Sequence, residues 1–140
     1  MVLVSALLGC KRARVVRDAA APPPPGPARG TFALTYYWVT PDNPGIGVKD
    51  DPLVPYVSVA IDPTVIPMGS HLYLRELDGV LLPGGARSDG CVIAADVGGR
   101  IKGLRIDWFV GERAHYDELD ARLELTHVTI HDGGARCLHR

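Results

Sequence analysis

No apolar run in this 140-residue chain is long enough to cross a bilayer as a helix. The most apolar stretch, residues 1–9, falls far short of the roughly 20 residues that a span requires. There are only three cysteines and no paired C-x-x-C, and no H-E-x-x-H occurs. That excludes the common zinc-finger and zincin patterns. There is no G-x-S-x-G elbow, and no internal repeat that would mark a solenoid. Excess positive charge is also missing. The formal net charge is −1, and the five basic residues Lys11, Arg12, Arg14, Arg17 and Arg29 all precede residue 31. Residues 31–140 hold ten basic against fifteen acidic side chains. A net-acidic body has no basic face for a nucleic-acid backbone. What remains is a chain with 46% hydrophobic residues, enough for one compact domain with a real core.

The chain opens MVLVSALLGC. Its end, Leu7-Leu8-Gly9-Cys10, resembles the lipobox of bacterial lipoproteins, in which cleavage before the Cys is followed by lipidation of the thiol. The basic n-region of a full export signal is absent from the sequence as given. The resemblance implies a lipid anchor at Cys10, export to the periplasm and attachment to the outer membrane. Residues 11–30, KRARVVRDAAAPPPPGPARG, are rich in Pro, Ala and Arg and cannot bury a core. The Pro22–Pro25 run favours extended polyproline II. We read residues 1–10 as a signal remnant, 11–30 as a disordered tether and 31–140 as the working domain. With Cys10 assigned to lipid, Cys91 and Cys137 form an even remainder, and in an exported protein such a pair is expected to form a disulfide.

From residue 31 the pattern is β. Residues 31–39 (TFALTYYWV), 54–61, 71–77, 91–95, 104–110 and 124–130 are strand candidates, rich in β-branched and aromatic residues and separated by turn chemistry such as PDNPG at 41–45. Residues 112–123 form the one helical stretch, with Tyr116, Leu119 and Leu123 spaced along one face. Short strands and a single helix predict a small closed, mainly β barrel rather than a parallel α/β sheet.

Several local motifs are weaker than they look. The loop Gly98-Gly99-Arg100-Ile101-Lys102-Gly103 has Lys before its last Gly, not after it, and no hydroxyl follows, so it is not a phosphate-binding P-loop. Asp96-Val97-Gly98 has the outline of an aspartic-protease triplet, but only one copy is present and Val replaces the hydroxyl residue. His127 and His131 share one strand face, yet a metal site needs three or four such ligands. We expect no metal and no organic cofactor. Three aspartates stand apart. Asp62 and Asp96 end apolar strands next to turn residues, where capping explains them. Asp107 interrupts LRIDWFVG in mid-strand, where capping does not.

Three motifs in order make the pattern specific: D-x-x-x-I-P-x-G-x-x-L at Asp62–Leu72, D-x-G-G-x-I-K-G at Asp96–Gly103 and R-I-D-x-F at Arg105–Phe109. Together they resemble the three-aspartate (3D) domain, the catalytic part of the membrane-bound lytic transglycosylase A family. The resemblance covers roughly residues 55–111. It implies a six-stranded double-psi β-barrel with one short helix, on which Asp62, Asp96 and Asp107 converge at one groove. Arg100 departs from the usual small residue, and residues 75–90 are longer than in the smallest members.

In that family the ligand is a peptidoglycan glycan strand. One Asp protonates the oxygen of the MurNAc–GlcNAc β-1,4 bond and then takes the proton of the MurNAc C6 hydroxyl. That hydroxyl attacks C1 and leaves a 1,6-anhydro ring. By motif position the acid/base is Asp107, with Asp96 and Asp62 as companion carboxylates. Lys102, Gly98 and Gly99 fall to substrate binding, Lys102 alternatively to pairing Asp96. Asp107 has to hold a proton near neutrality, far above the ~3.9 of a free Asp. Apolar Ile106 and Trp108 and a like charge from Asp96 or Asp62 are the devices the sequence offers. Tyr36, Tyr37 and Trp38 offer stacking surface, although large aromatics mostly pack. We expect a monomer. Two rivals stand beside the enzyme: a non-catalytic, expansin-like wall-binding module on the same barrel, and an aspartic-protease-like homodimer dependent on Asp96.

Overall fold

The computed structural model describes residues 20–140. Cys10 lies outside the described residues. Six strands are present: β1 (Ala28–Tyr37), β2 (Ser58–Ala60), β3 (His71–Leu74), β4 (Cys91–Asp96), β5 (Arg105–Phe109) and β6 (His127–Asp132). They close into a barrel in the order β1-β5-β2-β4-β3-β6. β1 runs parallel to β5 and β2 parallel to β4, and the other pairs are antiparallel. The one α-helix among the described residues, α1 (Arg113–Arg122), bridges β5 and β6. The expected closed, six-stranded, mainly β barrel with one helix is the fold observed.

Alternation decides what fills the barrel. Phe32 and Leu34 of β1, Val59 of β2, Val92 and Ala94 of β4, Ile106 and Trp108 of β5, and Val128 and Ile130 of β6 all point inward and are buried. Leu119 of α1 is fully buried against this core, with Tyr116 and Leu123 packed at its margin. The strand candidates hold with shifted ends. Residues 54–57 turn rather than extend, so β2 has only three residues. Residues 75–77 coil into a 3-10 turn whose Leu77 is buried. β1 starts at Ala28, three residues before the boundary drawn from composition. The reason is hydrogen bonding: Gly26 N–H donates to Asp132 O, and Asp132 N–H donates to Pro27 O, so the end of the Pro-rich stretch is stitched to β6.

A disulfide joins Cys91, at the start of β4, to Cys137, in the 3-10 turn after β6 (Gly134–Cys137). Both cysteines are buried, packed with Tyr73 of β3. The bond closes a separation of 46 residues, for which chain entropy gives about 4 kcal/mol. The double variant Cys91→Ala/Cys137→Ala is therefore expected to melt well over ~10 °C lower, given about 4–8 °C per kcal/mol for a domain of this size. Thermal unfolding followed by circular dichroism measures this, and an unchanged Tm would show that the barrel does not rely on the bond.

Candidate active site

The short strand β2 organises the acidic site. Ala60 pairs with Asp107 of β5 on one side and with Asp96 of β4 on the other. With strands spaced about 4.8 Å apart, the two aspartate Cα atoms lie about 10 Å from each other across Ala60. Val59, one residue earlier, pairs with Trp108 and Ala94, and all three point into the core. Between Val59 and Ala60 the register against β4 slips, so that Ala95 is left over as a bulge. Without the slip, strict alternation would turn Asp96 into the barrel beside Ala94. The extra residue turns it out, onto the face that carries Asp107. The bulge is clamped from outside by Gly47. A Cβ there would come within 2.6 Å of Ala95 O, so only Gly fits.

β1 completes the row. Thr35 pairs with Asp107, and its hydroxyl donates to Asp107 Oδ1 at 2.9 Å. Tyr37 packs its ring at a tilt against Phe109, its register partner, and its hydroxyl donates to Asp96 Oδ2 at 3.2 Å. Neither Thr35 nor Tyr37 can be linked to a particular aspartate from the sequence, because the link depends on the parallel β1/β5 register. The one available signal is that both lie on the same face of a strand, in Thr35-Tyr36-Tyr37.

The two carboxylates are of like charge on one half-buried face. Burial raises the pKa of Asp107 above the ordinary carboxyl range, and the charge of Asp96 pushes in the same direction. The Thr35 hydroxyl and the charge of Arg105 pull against it without reversing the sign. Burial and the neighbouring Asp96 drive the Tyr37 phenol up, so it stays a neutral hydrogen-bond donor. The source of the desolvation differs from the sequence reading. Ile106 and Trp108 point into the barrel, away from the carboxylate of Asp107. The outer face is instead covered by Phe109 and Tyr37, with the loop at Gly45 resting on the edge of the Phe109 ring.

Asp62 lies two residues beyond Ala60, past the end of β2, and its carboxylate is fully engaged. Oδ1 accepts from the Thr64 N–H at 2.9 Å and from the Thr64 hydroxyl at 2.7 Å, and Oδ2 accepts from the Gly103 N–H at 2.8 Å. The Gly103 bond, the Thr64 bonds and the charge of Lys102 hold Asp62 at about 2. Lys102 therefore favours the charge of Asp62, and no ion pair with Asp96 is formed among the described residues. Asp62 thus ties the turn at 62–66 to the glycine loop. In that loop Gly103, at φ +65°, is the residue whose backbone demands glycine. Gly98 packs against Ile101, and Gly99 is open to solvent.

The remaining candidates lie elsewhere. His127 is exposed beside Thr126, and Nδ1 of His131 faces Gly26 O across β1, so the two do not share a ligand position. Asp89, Cys91 and His139 are close enough to suggest a cation site, but the Cys91 sulfur is consumed by the disulfide. No helix among the described residues is long and apolar enough to cross a membrane.

The opposed pKa shifts give opposed expectations for stability. Asp107 titrates higher in the folded state than unfolded, so its ionisation costs the fold stability as pH rises from about 3.9 through the raised value. Asp62 titrates lower when folded, so its contribution is present above about 3.9 and is lost as pH falls towards about 2. Asp107→Asn should therefore melt higher than the parent at pH 7 and level with it near pH 3. Asp62→Asn should melt several degrees lower at pH 7, with the deficit shrinking in acid. Tm against pH for the two variants checks both signs.

Residues 57–121 match the 3D domain family model. Among solved structures, the chain is similar to the lytic transglycosylase MltA of Escherichia coli, at 27% identity over 63% of this chain and 28% of that one, with a TM-score of 0.39. It is also similar to the lytic transglycosylase LtgG of Burkholderia pseudomallei, at 29% identity over 62% of this chain and 26% of that one, with a TM-score of 0.40. The chain thus spans about a quarter of the length of these enzymes. No curated protein matches the chain. The match to the 3D domain runs through Asp62, Asp96 and Asp107, of which Asp96 and Asp107 share one face of the closed six-stranded barrel.

Proposed function

We propose that this domain cleaves peptidoglycan glycan strands as a lytic transglycosylase, breaking the MurNAc–GlcNAc β-1,4 bond and leaving a 1,6-anhydroMurNAc end. The observation that carries the reading is the pair Asp107 and Asp96 on either side of Ala60, with burial and like charge both raising the Asp107 pKa. A carboxyl that keeps its proton can protonate the leaving glycosidic oxygen. As the C1–O bond breaks, positive charge develops on the sugar, and the carboxylate left on Asp107 together with Asp96 stabilises it. The C6 hydroxyl then attacks C1 and gives its proton to Asp107, which restores the acid. No water enters the products, and one group serves both transfers. Thr35 fixes the carboxyl of Asp107 by its hydrogen bond, and Tyr37 does the same for Asp96. Asp62, whose three hydrogen bonds leave it no proton to give, acts in this scheme by fixing the glycine loop at the edge of the site. Anchoring through lipid on Cys10 would place the domain in the periplasm at the outer membrane, and the intact mass of the mature protein reads out that modification.

Digestion of purified sacculi, with products identified by mass spectrometry, tests the chemistry. Asp107→Asn is expected to lose at least ~10²-fold in anhydro product with its fold intact. Asp96→Asn removes a charge that raises the Asp107 pKa, so its pH optimum should move towards acid, with partial loss of rate. Products with reducing ends only would make the protein a hydrolase. Sedimentation with sacculi without any cleavage would make it a wall-binding module.

A further inference from the structure

A closed barrel has no free edge in principle, yet this one leaves a short strip open. β1 is ten residues long, and its pairing with β6 ends at Ala33 opposite His127. Its pairing with β5 continues to Tyr37. In the parallel ladder the odd-numbered residues face β5: Ala33 N–H donates to Leu104 O, and Val110 N–H donates to Tyr37 O. The even-numbered residues therefore turn their backbone groups the other way. Leu34 N–H is satisfied by Thr126 O, the last contact before the chain of β6 diverges. Beyond it, Leu34 C=O, Tyr36 N–H, Tyr36 C=O and Trp38 N–H have no backbone or side-chain partner among the described residues.

These groups do not lie on a flat surface. Leu34, Tyr36 and Trp38 line a pocket whose other walls are Tyr116 and Asp120 of α1 and Leu125 and Thr126 of the connection into β6. Thr35 lines the same pocket, and its hydroxyl is bonded to Asp107. The wall opposite the open edge is firm: Trp38 stacks on Tyr116 at 4.7 Å, and the guanidinium of Arg113 lies over both rings. A ligand seated there meets alternating donors and acceptors at strand spacing. It also meets a carboxylate, Asp120, on the helix, with Arg113 at the margin over the aromatic pair.

We propose that this pocket binds an extended peptide by adding it to the open edge of β1, and that the peptide is the one carried by MurNAc, so that the domain reads peptide-substituted glycan. The inference rests on the reading of Asp107 as the glycan-cleaving group. Two features select a peptide over a sugar. The unsatisfied groups are backbone amides in ladder order, the pattern that strand addition fills. Asp120 in the lining offers a carboxylate to an amine, and Arg113, which lies over the Trp38 ring and pairs with Asp117, puts a cation at the margin for a carboxylate. The spacing also fits. An added strand lies about 4.8 Å from β1, and β5 lies about 4.8 Å beyond β1 on the other side. The peptide backbone would thus run about 10 Å from the Asp107 Cα, the reach of one carboxylate side chain plus one sugar ring.

Amide hydrogen exchange on the whole protein, followed by NMR, tests this directly. The probes are a disaccharide–tripeptide muropeptide and the same disaccharide without peptide. Saturating muropeptide should slow exchange at Tyr36 and Trp38 N–H at least tenfold, and the peptide-free disaccharide should not. Thr126→Trp, which fills the pocket from the β6 side, should abolish the protection. Equal protection by both probes would make the pocket a sugar site, and protection without ligand that grows with protein concentration would mean that a second copy pairs there. Either result, or no protection by the muropeptide, overturns the proposal. Protected amides combined with an absence of anhydro product would leave the peptide site standing and refute the cleavage reading instead.

Discussion

Holding two carboxylates of like charge beside one small residue is the constraint on which this site depends. Ala60 separates Asp107 from Asp96, and it is a strand residue whose own side chain occupies little of the shared face. Nothing in that face attracts the two acids to each other. They are held by what lies beneath and beside them: Val59, Trp108 and Ala94 locked in the core one residue earlier, the Thr35 and Tyr37 hydroxyls on β1, and Gly47 pressed on the bulge. The buried side of β2, β4 and β5 supplies the burial energy that offsets the repulsion on the outer side. The disulfide acts at the far end of β4, so both ends of the strand that carries Asp96 are fixed.

The fold was more legible than the geometry of the site. Period-two alternation marked most strands, and the turn residues between them pointed to a closed barrel. Ordered aspartate motifs pointed to the same domain whose family model residues 57–121 match. Register was not legible, because it is set by pairing between distant strands rather than by local preference. That is why Thr35 and Tyr37 carried no distinguishing mark, and why the slip that turns Asp96 outward could not be read from CVIAAD. Reading Ile106 and Trp108 as the desolvating neighbours of Asp107 failed for the same physical reason. Sequence neighbours on a strand point to opposite faces, so the residues that dehydrate Asp107 come from Phe109, two positions on, and from β1. Lys102 is a similar case: proximity in sequence suggested Asp96, whereas the turn at Gly103 brings its charge to Asp62.

The three aspartates differ in what surrounds their oxygens, and that difference separates their roles more sharply than their shared motif does. Asp62 accepts three hydrogen bonds and is held as an anion, a state that suits a structural tie and excludes proton transfer near neutrality. Asp107 has a single side-chain donor and substantial burial, and the burial raises its pKa more than that donor lowers it. Asp96 accepts from the Tyr37 phenol, which burial and Asp96 keep protonated, and its charge adds to burial in raising the Asp107 pKa.

The same economy governs β1. Its outward residues Thr35 and Tyr37 hold the two acids by their side chains, and its even-numbered residues leave their backbone groups facing the pocket beside α1. One strand thus contacts Asp107 and Asp96 on one face and an amide-lined pocket at its edge, through adjacent residues of a single extended segment. Because Thr35 belongs to both, a ligand on the proposed edge site would lie against the residue whose hydroxyl bonds to Asp107. Coupling of that kind needs no moving domain. A shift of a few tenths of an ångström in β1 is enough to change the length of the Thr35 hydrogen bond to that carboxyl, and hydrogen-bond strength falls steeply with distance and misalignment.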